Sequence, residues 1–227
     1  MKDPRRILSQ IRGAVKVGVF PGTIEGKKAS WSSDPFHVLI STVLSQRTRD
    51  QNTVQASERL FEKYDTSGQI ANAPLEQLKE LIRPAGFPGQ KAKAIKEISR
   101  RIHEEMDDVV PNTIDQLIAL PMVGRKTANC VLSYAFHIPA ICVDTHVHRI
   151  SNRIGLVISV DPEGTEMQLR KRIPRDLWIE VNSLMVRFGQ TVCLPRKPRC
   201  DDCPISSTCD YFQEVLLNRR NEKSLKG

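Results

Sequence analysis

Residues 114–136 read IDQLIALPMVGRKTANCVLSYAF, and this stretch decides the fold. Leu117 and Leu120 continue an apolar helical face that stops at Pro121, and a second helical pattern resumes after Gly124. Thr113-x-x-Gln116 at the front has the form of a capping box. The reading is a pair of helices around a short turn, Pro121 to Gly124, with backbone N–H groups exposed where the second helix begins. A helix N-terminus carries about half a positive charge and accepts a phosphate. Such a hairpin grips a nucleic-acid backbone without reading its sequence, because its donors meet phosphate oxygens and not base edges.

Working outward, helical signals recur almost everywhere and convincing strands are absent, so the fold class is all-α. Asp34-Pro35 offers a cap and a first-turn proline for a helix from about Phe36 to Ser45. Asp50 is expected to cap a helix running through Leu60 and Phe61, and Asn72-Ala73-Pro74 to open a short one carrying Leu75, Leu78 and Ile82. Gly86 to Gly89 breaks the pattern, after which Ala92, Ile95, Ile98 and Ile102 recur at helical spacing opposite charged residues. Asp144 or Thr145 can cap the run HVHRISNRI, and Pro174 to Phe188 reads as a helix closed by Gly189. The basic end LLNRRNEKSLKG is expected to fray.

The 227 residues are 40% hydrophobic, enough for a real core, and carry a net charge of +8, which suits a polyanionic partner. No stretch approaches a membrane span, and MKDPRRILSQ lacks the apolar core of a signal peptide, so an intracellular protein is expected. The six cysteines argue against a disulfide framework, because four of them crowd between Cys193 and Cys209.

That spacing, Cys193-x6-Cys200-x2-Cys203-x5-Cys209, supplies the thiolates of a [4Fe-4S] cluster or of a structural zinc. Structural zinc sites favour paired close spacings, and only Cys200-x2-Cys203 has that form, so the spacing favours iron-sulfur. Between the first two cysteines, LPRKPR projects Arg196, Lys197 and Arg199 as a phosphate-binding finger. Cys130 and Cys142 lie in apolar stretches and read as core residues. His146 and His148 are two apart, which on a helix sends them to different faces. Trp31 and Trp178 read as core anchors.

Lys126 falls in the first turn of the second hairpin helix, where partial burial and the positive helix end would favour a neutral, nucleophilic amine. Alone it would more often be a solvated lysine on a phosphate. Asp144, eighteen positions later in IPAICVDTHVHR, changes the weighing. By itself it is a helix cap, but paired with Lys126 it can stabilise a developing sugar cation and take part in proton transfer.

Three segments, LPMVGRKTAN, VDTHVHRISNR and the cysteine run, closely resemble endonuclease III from about Phe36 to Cys209. The resemblance implies a two-lobed helix-hairpin-helix fold that binds duplex DNA between its lobes as a monomer. A helical-barrel lobe would span about 28–138, and residues 1–27 with 139–227 would build the cluster lobe. It implies a DNA glycosylase and abasic-site lyase of base excision repair that flips out a damaged, usually oxidised, pyrimidine. Lys126 matches the Schiff-base lysine, Asp144 the catalytic aspartate, and the four cysteines the [4Fe-4S] ligands. The hairpin residues Val123, Gly124 and Arg125 are expected at the DNA backbone. Mismatch thymine glycosylases carry tyrosine, and adenine glycosylases serine, where this chain has Lys126.

Two departures from the family pattern stand out. Met122 replaces the first glycine of the usual LPGVG hairpin, which costs energy if that position needs positive φ. In LSQRTRD, Arg47 aligns with a glutamine that fills the gap left by the flipped base, so either Gln46 or Arg47 takes that role. An arginine there favours guanine opposite the lesion. Phe87, in AGFPG, is either a wedge into the duplex or an anchor for its loop. Two readings compete with a bifunctional enzyme: a non-catalytic DNA-binding module with a redox-sensing cluster, and a monofunctional mismatch glycosylase. The pairing of Lys126 with Asp144 argues against the first, and the lysine itself against the second.

Overall fold

A computed structural model describes residues 2–15 and 34–216, which contain helices and turns and no strand. Trp31 and the basic tail from residue 217 onward lie outside the described residues. In chain order the helices are α1 (Pro4–Ala14), α2 (Pro35–Ser45), α3 (Asp50–Lys63), α4 (Ser67–Asn72), α5 (Leu75–Leu81) and α6 (Pro88–Glu105). They continue as α7 (Ile114–Ile118), α8 (Arg125–Ala135), α9 (Thr145–Ile154), α10 (Pro162–Arg172) and α11 (Trp178–Thr191). Single 3-10 turns occupy Arg175–Leu177 and Ser206–Thr208. The described residues divide into two compact units, one of 34–140 and one of 2–15 with 141–216. None of the helices is long and apolar enough to cross a membrane.

In the 34–140 unit, Asp34 caps α2 by accepting from the Phe36 and His37 amides at 2.8 and 3.0 Å. Nine consecutive residues of α2, Phe36 to Leu44, are buried, so this helix runs through the core. It packs on α3 and α8, and α4 packs on α6. The isoleucines of α6, Ile95, Ile98 and Ile102, are fully buried; each contributes about 1.5–3 kcal/mol of apolar burial. α3 starts on Asp50 itself, with Arg49 at the cap position and no side-chain cap bond. Asp50 therefore stabilises the helix as a first-turn acid and not as its cap. α4, unforeseen from apolar periodicity, is held by a complete Thr66–Gln69 capping box.

The second unit buries Ile7, Leu8 and Ile11 of α1 with Val147, Ile150 and Ile154 of α9 and Val181, Met185 and Phe188 of α11. Trp178 anchors this core, its indole N–H donating to the Ile173 carbonyl at 2.9 Å. Gly189 does not close α11, which continues to Thr191. A Cβ at Gly189 would lie 2.3 Å from His146 Nδ1, so this glycine is a spacer that admits α9. α9 ends at Gly155, whose φ of 74° supplies the left-handed cap.

Candidate nucleic-acid interface and cysteine centre

The hairpin is α7, the turn and α8, with Gly124 as the N-cap of α8. Thr113 occupies the N-cap of α7 without the expected box; its hydroxyl instead donates to Gln116 Oε1 at 2.7 Å. Met122 adopts φ 57°, so the turn does demand the left-handed conformation, and a methionine fills it at a cost of about 1–2 kcal/mol relative to glycine. Its side chain is 39% exposed. The carbonyl of Met122 accepts the Gln46 amide at 2.8 Å, and the same Gln46 nitrogen reaches Thr127 Oγ1 at 3.2 Å.

Lys126 lies one residue into α8 and is exposed, so the partial burial expected for it is not provided by this unit. It opens onto a concavity of ≈ 980 Å³ lined by Gln46, Arg47, Met122, Val123 and Gly124. A second concavity, ≈ 650 Å³, shares Gln46, Arg47 and Met122 and adds Phe87, Gln90 and Lys91. The structure thus gathers Gln46, Arg47, Phe87, Val123, Gly124 and Lys126 on one unit. Arg125 heads α8 beside them.

Two more of these residues share the strained geometry of Met122: Arg47 at φ 51° and Phe87 at φ 58°. Left-handed non-glycine residues concentrate where function over-determines the backbone. Phe87 is 55% exposed. Lys91, by contrast, is 1% exposed. It precedes Ile95, Ile98 and Ile102 by 4, 7 and 11 residues, which puts it on the apolar stripe itself and not among the charged residues opposite. A lysine in register with buried isoleucines was the available signal.

Asp144 belongs to the other unit. It caps α9, accepting from His146 N at 2.9 Å and Val147 N at 2.8 Å, both through Oδ1. Oδ2 is not committed to the helix. His146 accepts from Arg149, and His148 pairs with Thr165 Oγ1 at 2.7 Å.

Cys193, Cys200, Cys203 and Cys209 are the free cysteines among the described residues and line a single pocket. Burial pushes the Cys203 thiol up to about 11, and burial together with the other cysteines raises Cys200 and Cys209. Thiols raised in this way become thiolates together only against a compensating cation. Among the described residues, no three His, Cys, Asp or Glu side chains form a ready-made ligand set for one ion. The donor set, four thiols around a common pocket with no histidine or carboxylate in its lining, fits a sulfur-ligated cluster. Arg153 donates to Cys193 Sγ at 3.5 Å and to the Leu194 and Pro195 carbonyls at 2.7 and 2.9 Å, bracing the base of the 194–199 loop. Arg196, Lys197 and Arg199 are exposed on that loop, with Lys197 at φ 50°. Cys130 and Cys142 are buried, at 4% and 1% exposure, and disulfide-bonded, which corrects their reading as simple packing residues.

Residues 40–175 match the family described as HhH-GPD superfamily base excision DNA repair protein. Endonuclease III of Thermotoga maritima is 51% identical over 181 residues, covering 80% of this chain and 85% of that protein. The chain belongs to the endonuclease III family. Family membership extends to the solved structures. A non-covalent endonuclease III–DNA complex superposes with a TM-score of 0.81 at 34% identity, covering 93% of this chain and 96% of the other. A trapped endonuclease III–DNA covalent intermediate superposes equally well, at 0.81 and 34% identity over 95% and 100% of the two chains. The all-α helix-hairpin-helix fold is therefore that of endonuclease III, a base excision repair fold.

Proposed function

We propose that this endonuclease III-family chain is a bifunctional DNA glycosylase and abasic-site lyase that removes oxidised pyrimidines from duplex DNA, with Lys126 as nucleophile. The observation that carries the assignment is the placement of an exposed lysine in the first turn of α8, above a concavity walled by the hairpin turn. The α8 N-terminus receives a phosphate. Among the described residues, no atom beyond its own chain neighbours lies within 4 Å of where a Gly124 Cβ would stand, which supports an approach of the DNA backbone at that helix end. A docked duplex excludes water around the Lys126 amine.

The Lys126 amine attacks the anomeric carbon of the flipped nucleotide as the damaged base leaves with its bonding electrons. The Asp144 carboxylate stabilises the positive charge that grows on the sugar and receives a proton from the attacking amine. The C1′–O4′ bond then breaks as Asp144 returns its proton to O4′, leaving a protonated imine between Lys126 and the sugar. The imine acidifies the neighbouring C2′ hydrogen, and loss of that proton expels the 3′ phosphate by β-elimination.

Gln46 is engaged with the hairpin, so Arg47, exposed beside it, contacts the base left opposite the lesion, preferably guanine. Phe87 enters the stack as a wedge. The helical lobe, about 28–138, carries this machinery, and the discontinuous lobe carries Asp144 and the cluster. Cys193, Cys200, Cys203 and Cys209 hold a [4Fe-4S] cluster, which anchors the loop that aims Arg196, Lys197 and Arg199 at phosphates.

Borohydride trapping tests the reading. Wild-type protein should become covalently joined to lesion-bearing duplex, whereas Lys126→Gln should lose trapping and excision and still bind the duplex. Normal trapping by Lys126→Gln would assign the nucleophile to another amine.

A further inference from the structure

Lys91 is a buried cation whose three partners are neutral oxygens of one short segment. Its ammonium donates to the carbonyls of Leu44 and Gln46 and to Thr48 Oγ1, each at 2.7 Å. The first two lie at the C-terminal end of α2, where the helix leaves carbonyls unpaired and its dipole is negative. The second and third bracket Arg47, the residue held at φ 51°. The Thr48 hydroxyl extends the network by donating to Gln46 O at 3.1 Å and accepting the Gly86 amide at 3.1 Å. Gly86 immediately precedes Phe87, the second left-handed residue, and a Cβ on Gly86 would stand 3.1 Å from the Arg47 carbonyl.

One ammonium therefore reaches both strained residues: Arg47 through the oxygens on either side of it, and Phe87 through Thr48 and Gly86. Core stability alone does not call for it, since an apolar side chain would fill the same space without the cost of desolvating a charge. We infer that Lys91 is a positioning residue that holds Arg47 and Phe87 as one preformed element for the gap and the unpaired base left when a nucleotide is flipped out. The inference rests on the reading above that Arg47 and Phe87 face the duplex.

The experiment is a mutant cycle on the cluster-containing full chain, read by two single-turnover rates: base excision opposite guanine, and strand cleavage at a preformed abasic site. Lys91→Met should slow excision about ten- to hundredfold, because small misplacements act on geometry. Cleavage at the abasic site, which needs no base extrusion, should fall less. In an Arg47→Ala/Phe87→Ala background the same Lys91→Met change should cost no more than about twofold, the non-additivity of residues that act as a unit. Equal losses in the two backgrounds, or no loss in the first, overturn the inference.

Should Lys91→Met fail to fold, Thr48→Val cuts the link to Gly86 and spares the carbonyl contacts. It should slow excision in the same background-dependent way, and a background-independent loss again overturns the inference. If Arg47→Ala/Phe87→Ala excises at the wild-type rate, the reading that these residues face DNA is what fails, and the inference with it. If that double variant is slow while Lys91→Met and Thr48→Val are both unimpaired, the reading survives and only the role of Lys91 falls.

Discussion

The Gln46 side-chain amide donates to the Met122 carbonyl at 2.8 Å, so a residue at the end of α2 fixes the hairpin turn although 76 positions separate the two. The bond closes on a methionine in a conformation that glycine adopts freely. Met122→Gly should relieve the left-handed cost, partly offset by the extra freedom of glycine in the unfolded chain, for a net gain of up to about 1 kcal/mol. Denaturant midpoints measure it; a lower midpoint would mean that the methionine side chain contributes more by packing than its backbone costs. Gln46→Leu should weaken DNA binding about tenfold by loosening the turn, independently of sequence.

Asp144 combines a structural bond with a free oxygen, and substitution can separate the two. Asp144→Asn keeps an acceptor for the His146 and Val147 amides, so the fold should lose only a few tenths of a kcal/mol. Base excision should nonetheless fall about a hundredfold or more, because the charge that supports the sugar cation is gone. Cleavage of a preformed abasic site should fall less. Equal losses in the two steps would argue that Asp144 serves only to cap α9.

The basic finger predicts a counterion signature. Arg196→Ala, Lys197→Ala and Arg199→Ala should each reduce the slope of log affinity against log salt by about one unit, with no change in lesion preference. Unaltered slopes would place these side chains away from the phosphates.

Purified under anaerobic conditions, the protein should be brown and contain about four irons per chain. A colourless protein with one zinc would replace the cluster by a mononuclear site. Cys203→Ser should lower folding yield and DNA affinity together, since the loop anchored by these ligands has little apolar core of its own.

Lys91 gives stability an unusual dependence on pH. Burial pushes its ammonium down from 10.5 to about 8. Between those values the folded protein has released a proton that the unfolded chain still binds, so stability from this group rises with pH. Wild type should therefore gain on Lys91→Met as pH climbs from about 8 to about 10.5, and the difference should be level below that window. Denaturation of both proteins across the range checks the sign. Excision should move the other way, because a neutral amine has two N–H groups for three oxygens.

The helices that were legible in the sequence are those whose ends carry local chemistry. Asp34-Pro35 and Asp144 cap as their residue types require, because capping depends on a few adjacent atoms. α4 escaped an apolar-period reading because it has only six residues, although Thr66-x-x-Gln69 announced it. Gly189 was misread as a stop for a different reason: whether a glycine ends a helix or admits a neighbour depends on what packs against it, and His146 is 43 positions away. Arg47 and Phe87 were visible as candidates from their place in the family pattern. Their left-handed backbones were not, and for the buried lysine beneath them the register with the isoleucines signalled burial but not its partners, which lie 43 to 47 residues away.

The packing of α1 has a consequence for how the protein is made. Ile7, Leu8 and Ile11 bury against a core that includes Val181, Leu184 and Phe188, so α1 leaves the ribosome about 170 residues before its partner. At 5–20 residues per second, roughly ten to thirty seconds pass between the two. During that interval the whole 34–140 unit is complete and free to fold, while the apolar stripe of α1 has no permanent home. The nascent chain must carry that stripe past a finished neighbour without burying it there. The short length of α1 and the arginines Arg5, Arg6 and Arg12 along it keep it soluble during the wait.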